Sequence, residues 1–248
     1  MQPQFTVTQK MLQQVVDITN IVTRLEIERE RHLHLRKDSK IKTIYSSLAI
    51  ENNSLSLEEV SDLIQGKKVL GRPKDIREVQ NAYDVYEIVY DFNPYQVRDF
   101  LQAHAILMED LVKEAGQFRK GDVGVYAADG SVVHIGARPQ FVEGLVSDLF
   151  KWAQETELPA LIVACVVHFE LEIIHPFSDG NGRMGRLWQS LILSQWQSVF
   201  EWIPIETLVY ENQAEYYQVL AKSNHDNDGV SFIEFMLDII LKTVETYQ

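Results

Sequence analysis

Apolar residues recur along most of the chain at steps of three and four, which is the spacing of amphipathic helices. Within residues 8–35 the apolar positions that follow this spacing include Met11, Val15, Ile18 and Leu25. The same spacing predicts further helices over residues 42–50, 56–66, 75–91, 95–114, 139–155, 159–174, 182–197, 212–223 and 231–246. The pattern is therefore typical of a mainly helical protein.

Two segments differ from this general pattern. Residues 121–138 read as two short strands about the turn Asp129-Gly130, a dipeptide that favours tight hairpin turns. The segment 159–174 is apolar nearly all round, which is typical of a helix buried at the centre of a domain. We see no repeat, low-complexity segment or long linker, so the predicted fold class is all-α with one short β-hairpin.

Composition and charge narrow the classes of protein that fit. Hydrophobic residues make up 46% of the 248 positions, too many for a disordered chain, and the net charge of −13 disfavours a generic nucleic-acid binder. A phosphate ligand would therefore need a local cluster of donors. The single cysteine, Cys165, excludes an intrachain disulfide. Residues 1–10 lack the pattern of a signal peptide and the apolar runs are too short to span a membrane, so we expect a soluble, cytoplasmic protein.

Functional side chains are concentrated where the central apolar helix ends. The segment 175–186 reads HPFSDGNGRMGR. Pro176 cannot continue a helix, so His175 is placed at the helix end. The turn at Gly180, Asn181 and Gly182 tolerates positive φ angles, which let successive N–H groups point the same way and form an anion-binding nest. The next helix begins at once, and its N-terminus adds further N–H donors.

Charged side chains complete this cluster. Arg183 and Arg186 share one face of the following helix, and we expect them to point away from the core, toward the loop, where they suit a polyphosphate. Asp179 is an oxygen ligand suited to Mg²⁺. His175 is the side chain that can accept a hydroxyl proton near neutral pH. Each residue alone also fits an ordinary helix–turn–helix corner, but together they indicate transfer at phosphorus.

The segment 175–186 resembles the motif of the Fic family, His-Pro-Phe-x-Asp/Glu-Gly-Asn-Gly-Arg-x-x-Arg, and matches it at every defined position. Phe118, Arg119 and the hairpin at 121–138 resemble the family's flap, which docks a target segment as an added strand. The resemblance implies an all-α Fic fold, a helical bundle with a short β-hairpin flap. It also implies that Phe177 anchors the loop in the core.

The activity implied by this resemblance is protein adenylylation. His175 would deprotonate a Tyr, Thr or Ser hydroxyl of a target protein, the protein itself included, and that oxygen would attack the α-phosphorus of ATP. Asp179 would hold Mg²⁺, and the N–H groups of the Gly180–Gly182 turn, including that of Asn181, would cradle the α- and β-phosphates. The resemblance assigns the β-phosphate to Arg183 and the γ-phosphate to Arg186.

Residues 47–52, SLAIEN, resemble the family's inhibitory motif, Ser/Thr-x-x-x-Glu-Gly/Asn, with Ser47, Glu51 and Asn52 at its defined positions. Ser47 and Glu51 lie one helical turn apart and share a face. An exposed helix end would also explain so short a motif, but its place before the Fic segment favours inhibition. The resemblance implies that Glu51 pairs with Arg186 and competes with the γ-phosphate.

The expected organisation is an N-terminal helical region over 1–94, a catalytic core over 95–200 and C-terminal helices over 201–248. Glu78 and Asn81 also resemble the family's N-terminal region, without an assigned role. Removal of AMP at the same site, with Glu51 positioning a water, remains an alternative, as does a non-catalytic regulatory partner. The target protein and the oligomeric state, a homodimer among the options, are left open.

Other polar positions are interpreted as structural. We expect His168 to be a core histidine bonded to the backbone and His104 to be structural as well. His32 and His34 are interpreted as solvated. Residues 224–229 resemble a calcium loop, but the closing acid is Glu234, one position too early, so a turn with a helix cap is the prediction.

Overall fold

A computed structural model describes residues 2–27, 35–126 and 132–248. The described chain is helical apart from one pair of strands, which confirms the predicted all-α class. Its α-helices and strands are α1 Gln9–Ile27, α2 Leu35–Ile50, α3 Leu57–Ile64, α4 Pro73–Ile88, α5 Val97–Leu107, β1 Gly124–Tyr126, β2 Val132–Ile135, α6 Pro139–Glu155, α7 Ala160–Ile174, α8 Asn181–Trp196, α9 Ile205–Glu211, α10 Gln213–Asp226 and α11 Val230–Glu245.

The helix boundaries differ from the prediction at a few places. The helix predicted over 95–114 ends at Leu107, because the chain turns through Asp110 at a left-handed φ of 60°. The short helix α9 was not predicted. Residues 224–229 form the predicted turn, with α10 capped by Asn227 in the left-handed conformation. The Asp129-Gly130 turn, residues 28–34 of the first predicted helix, His32 and His34 lie outside the described residues.

The central helix α7 is buried on nearly every side, as its apolar sequence predicts, and packs most extensively against α8. An aromatic cluster lies beside this pair of helices. The Phe100 ring lies 4.9 Å from that of Trp188, 5.2 Å from that of Phe177 and 5.3 Å from that of Phe150. Phe177 is fully buried, so this cluster anchors the loop that joins α7 to α8.

The N-terminal helices cover the face of α8 that carries the arginines. Helix α2 packs against α3, α4 and α9 and touches α8, while α1 packs against α11. Ser56 forms a capping box with Glu59 at the start of α3. The N-terminal and C-terminal helices therefore interlock, and the division at 94 and 200 stays a prediction.

The hairpin is fastened to the end of α7 by one buried side chain. Strands β1 and β2 pair antiparallel with an irregularity between Val125 and Tyr126. The guanidinium of Arg119 donates hydrogen bonds to the carbonyl oxygens of His175, at 2.6 Å, of Gly121, at 2.8 Å, and of Ala137. This arginine therefore fixes the base of the hairpin relative to His175.

None of the helices in the described part of the chain combines the length and the apolar character that crossing a bilayer requires.

Phe100 is the side chain that we choose to test how much the aromatic cluster contributes to stability. We expect Phe100→Ala to lower the free energy of unfolding by about 3–5 kcal/mol, because it removes a buried ring and leaves a cavity. Urea denaturation monitored by circular dichroism measures this change. Leu70→Ala is the matched control, since Leu70 is 96% exposed. Equal midpoints for both variants would contradict the assigned role of the cluster.

Candidate active site

His175 ends α7 in a left-handed conformation, with φ of 52°. Its Nδ1 lies 3.3 Å from the backbone oxygen of Glu172, one helical turn earlier. A carbonyl oxygen only accepts hydrogen bonds, so this contact places the ring proton on Nδ1 and leaves the lone pair of the neutral ring on Nε2. The backbone of the helix end therefore sets the tautomer that a general base requires.

The loop after His175 is held by two side chains. Asn181 bridges back to Phe177: its Oδ1 accepts from the Phe177 N–H at 2.8 Å and its Nδ2 donates to the Phe177 oxygen at 2.9 Å. His104 stacks on the Phe177 ring, and its Nδ1 accepts from the Gly116 N–H at 2.9 Å. Asn181 is thus a structural anchor as well as a donor in the turn.

The predicted structural role of His104 follows from these contacts. Because Nδ1 accepts, Nε2 carries the proton and donates to the oxygen of Asp179 at 3.1 Å. Burial lowers the pKa of His104 to about 4, so the ring is neutral near pH 7. The neutral ring holds the backbone of the loop in place.

Gly180 and Gly182 occupy positions where a side chain would collide. Gly180 has a φ of 84°, and a Cβ there would lie 2.7 Å from the Met108 sulfur. A Cβ on Gly182 would lie 2.6 Å from Glu51 Oε1. Gly180 is the N-cap of α8 and has no side chain to satisfy the first N–H groups of that helix. Those donors suit an anion.

Arg183 is buried between two carboxylates. Its Nη1 donates to Glu78 Oε1 at 3.3 Å and its Nη2 to Asp179 Oδ1 at 3.1 Å. The residue is 4% exposed, whereas the Asp179 side chain is 47% exposed. Among the described residues, Arg183 Nε is a buried donor without an acceptor. The guanidinium therefore retains capacity for one more anionic oxygen.

Arg186 is also buried, and it donates hydrogen bonds to residues at the end of α2. Its Nη2 donates to Glu51 Oε1 at 2.7 Å and to the Ser47 oxygen at 3.0 Å, and its Nε donates to Ser47 Oγ at 3.3 Å. Burial acts to lower the pKa of Arg186, but the charge of Glu51 outweighs it and the net direction is upward. The expected Glu51–Arg186 pair is present in the structure.

The two arginines differ from the prediction in one respect. They were expected to face away from the core, yet Arg183 and Arg186 are 4% and 3% exposed. The physical reason is that α2 packs on the face of α8 that carries them and that Glu78 of α4 reaches Arg183. Carboxylates at the end of α2 and on α4 pair with the two arginines, so these side chains do not point only toward the loop.

Asn52 explains why Glu51 stands at the end of a helix. Asn52 has a left-handed φ of 64°, which asparagine and glycine tolerate better than other residues. The N–H groups of Glu51 and Asn53 then bond back to the Leu48 oxygen at 3.0 and 3.1 Å. This tight turn ends α2 and gives a physical reason for Asn or Gly after the glutamate.

A cavity of about 400 Å³ adjoins these groups. The predicted residues on its wall are His175, Gly182, Arg186 and Glu51. Sequence reasoning missed the residues that complete the wall, which come from the last turns of α7 and from α10: Glu172, Ile173, Tyr216, Tyr217, Leu220, Ala221 and Asn224. Only Glu172 could have been found from the sequence, because it lies one helical turn before His175 and therefore on the same face of the predicted helix.

His168 is structural, but its partners differ from the prediction. It was expected to bond to the backbone, whereas its Nδ1 bonds to Gln189 Oε1 and its Nε2 lies 3.0 Å from the Tyr216 hydroxyl. Burial lowers the pKa of His168 to about 3, so the ring is neutral. A side-chain network between α7, α8 and α10 therefore replaces the expected backbone contact.

The fold and the site together define an all-α protein whose polar loop joins two buried helices beside a cavity. The model of the Fic/DOC family matches residues 94–193. A crystal structure of a Fic family protein from Desulfovibrio desulfuricans G20 is 41% identical, with a TM-score of 0.95, and the match covers 100% of this chain and 76% of that one. The chain belongs to the Fic family.

Curated relatives are more distant. A protein named protein adenylyltransferase Fic from Nematostella vectensis is 25% identical over 226 residues, which cover 85% of this chain and 49% of that protein. The chain spans about half the length of the curated relatives it matches. A solved Fic-1 structure from C. elegans, carrying E274G, has a TM-score of 0.78 at 21% identity, covers 95% of this chain and 71% of that chain, and supports the fold alone.

Glu172 provides a test of the cavity's electrostatics. Burial raises the pKa of Glu172 from 4.5 to about 7, opposed by Arg186 and reinforced by Glu51. Because the carboxyl of Glu172 holds its proton more tightly in the folded state, its contribution to the free energy of unfolding is fully present below pH 4.5 and is lost as the pH rises through 7. Glutamine stays neutral at every pH. We therefore expect the free energy of unfolding of Glu172→Gln to rise by about 2–3 kcal/mol relative to that of the original chain as the pH increases from 5 to 8.

Urea denaturation at several pH values measures this difference. Glu143→Gln removes a carboxylate from the exposed face of α6 and controls for the loss of one charge. A constant offset between Glu172→Gln and the original chain across this pH range would show that Glu172 is not a buried acid of raised pKa.

Proposed function

We propose that this protein transfers AMP from ATP to a hydroxyl group of a protein and that Glu51 restrains the reaction. The observation that carries the proposal is a shared cavity: His175, the Gly182 turn, Arg186 and Glu51 line the same 400 Å³ space. A base, an anion site and a competing carboxylate are thus adjacent. The names of the curated relatives, protein adenylyltransferase Fic, agree with this reaction.

In the proposed reaction His175 Nε2 accepts the proton of a Tyr, Thr or Ser hydroxyl. The hydroxyl oxygen forms a bond to the α-phosphorus, and the bond to the β-phosphate oxygen breaks, so pyrophosphate leaves. The Nδ1 contact to the Glu172 oxygen, at 3.3 Å, keeps the ring in the tautomer that this step needs. Most of the rate would come from alignment of the hydroxyl with the phosphorus.

The phosphates would be bound by groups of α8 and the loop. The N–H groups of Gly180, Asn181 and Gly182 would hold the α- and β-phosphates, Arg183 the β-phosphate and Arg186 the γ-phosphate. Mg²⁺ normally binds to one or two carboxylates and to phosphate oxygens, and the half-exposed Asp179 fits that donor set. The ion would neutralise phosphate charge at this end of the site.

The wall contributed by α10 suits a purine base. Tyr217, Leu220 and Ala221 present aromatic and apolar surface to the cavity, and Asn224 adds an amide that both donates and accepts hydrogen bonds. A flat aromatic base gains from apolar and stacking contacts, and one amide can select among bases. We therefore assign this wall to the adenine of ATP.

Restraint by Glu51 follows from its bond to Arg186. While that pair is formed, the guanidinium assigned to the γ-phosphate is occupied, so ATP would bind less well or with its α-phosphorus out of line. The Glu51 side chain is 30% exposed, and its oxygen would lie 2.6 Å from a Cβ on Gly182. It therefore stands directly beside the turn that would cradle the phosphates.

The first test removes the proposed base. In protein freed of restraint by Glu51→Gly, His175→Ala should lower AMP transfer roughly 10²–10⁴-fold, because a general base contributes about that much. Intact mass after incubation with ATP and Mg²⁺ measures the added AMP on the protein itself. His225→Ala is the control, since its side chain is 88% exposed. Undiminished labelling without His175 would remove it from the mechanism.

The second test removes the restraint. Glu51→Gly should raise AMP transfer, about tenfold for each ~1.4 kcal/mol of competition released. Adding Arg186→Ala should abolish the gain, because the freed guanidinium is what the first change supplies. Glu58→Ala, at an exposed carboxylate on α3, is the control for lost charge. Equal rates for Glu51→Gly and the original chain would end the claim of self-restraint.

The same experiment separates the alternative activity, removal of AMP. In that case Glu51→Gly would increase labelling only because hydrolysis has stopped. Incubation of a pre-adenylylated target with the original chain measures that hydrolysis directly. Loss of AMP that depends on Glu51 would favour removal over transfer.

A further inference from the structure

Glu78, on α4, contacts both Arg183, which is assigned to the β-phosphate, and Asn53, in the turn that carries Glu51. The residue is 4% exposed. One carboxylate oxygen, Oε1, accepts from Arg183 Nη1 at 3.3 Å. The other, Oε2, accepts from the side-chain amide of Asn53 at 2.8 Å. A buried carboxylate needs partners for its charge, and here one of them is an arginine assigned to the nucleotide.

Asn53 belongs to the turn that carries Glu51. It follows Glu51 by two positions, and its N–H bonds to the Leu48 oxygen at 3.1 Å, which closes the turn through the left-handed Asn52. Its Oδ1 accepts from the Leu55 N–H at 3.1 Å. A turn this tight moves as one piece, so the amide that contacts Glu78 and the carboxylate that contacts Arg186 are displaced together.

The contacts therefore form a continuous chain from one arginine to the other. Arg183 bonds to Glu78, Glu78 to Asn53, and the turn carries Glu51 to Arg186. The same turn has two further attachments to α4, since the Asn53 amide also donates to the Asp75 backbone oxygen at 3.1 Å and the Ser54 N–H donates to Asp75 Oδ2 at 3.1 Å. Helix α4 is thus the platform on which the inhibitory turn is seated.

We propose that Glu78 is a positioning residue that holds Arg183 and, through Asn53, holds Glu51 on Arg186. The proposal rests on the proposed function for the assignment of both arginines to phosphate. The strength of the restraint then depends on the Asn53–Glu78 bond as well as on the Glu51–Arg186 pair. A change at Asn53, which touches neither arginine in the described structure, alters nucleotide binding.

The key variant is Asn53→Asp. It keeps the oxygen that accepts from the Leu55 N–H, but it replaces the amide donor with an oxygen that Glu78 repels. The change breaks the amide's bond to Glu78 and its bond to the Asp75 backbone oxygen. We expect the variant to bind the α,β-methylene analogue of ATP, with Mg²⁺, about tenfold more tightly than the original chain, which is the size of effect that loss of a hydrogen bond to a charged group produces. Calorimetry measures the affinity. Asn53→Ala should shift it in the same direction, which keeps the test available if one variant folds poorly.

Two comparisons separate this role from a structural one. Adding Asn53→Asp to Glu51→Gly should change the affinity less than twofold, because the turn no longer carries a competitor. Adenosine, which lacks phosphates, should bind equally to the original chain and to Asn53→Asp. Lys74→Ala, which removes a cation 3.8 Å from Glu78 on its solvent side, is the matched control and should stay within twofold.

Two results would overturn the proposal. One is an unchanged affinity in both Asn53 variants while Glu51→Gly tightens binding. The other is an equal gain from Asn53→Asp with and without Glu51. Because the analogue reports binding alone, a Glu51→Gly protein that binds it but transfers no AMP would sink the proposed function and leave this inference standing.

Discussion

The buried guanidinium of Arg186 is the constraint around which the site is organised. An arginine that is 3% exposed must be paired, since an isolated buried charge is very costly. Its carboxylate partner, Glu51, comes from the end of α2, so that helix end has to reach α8. Position 182 therefore requires glycine for a reason other than backbone freedom, because a Cβ there would collide with the Glu51 carboxylate.

This arrangement balances opposite charges within a chain of net charge −13. Glu51, Glu78 and Asp179 pair with the two arginines, so negative and positive charges offset each other within the site. A triphosphate bound as proposed would have to replace carboxylates that are already in contact with the arginines. The affinity for the triphosphate would then depend on how strongly each carboxylate is held in place. Helix α4 positions Glu78, and the end of α2 positions Glu51.

The sequence predicted those parts of the fold and site that depend on local pattern. The amphipathic spacing located α6, α8 and α11 closely. The long motif placed His175, the glycine turn and both arginines in one segment, and His175, Gly182 and Arg186 of that segment line the cavity. The 124-position gap between Glu51 and His175 was bridged only by resemblance to a family motif, since no local rule connects such distant segments. Geometry then showed the two on one cavity wall.

Other parts could not be predicted, for physical reasons. The burial of Arg183 and Arg186 depends on α2 packing on α8 and on Glu78 of α4 reaching Arg183, which is a matter of tertiary structure. Helix α9 has seven residues, too few for a periodic signal to stand out. The partners of His168 lie 21 and 48 positions away, so a side-chain network could not be told from the commoner backbone contact.

The order of the contacting segments along the chain has a consequence for synthesis. Arg186 follows Glu51 by 135 residues, so α2 leaves the ribosome roughly ten seconds before this arginine of α8 is made. A domain generally folds as a unit, so its later segments meet earlier segments that have already been made. The carboxylate of Glu51 is therefore already outside the ribosome when the guanidinium of Arg186 first needs a partner.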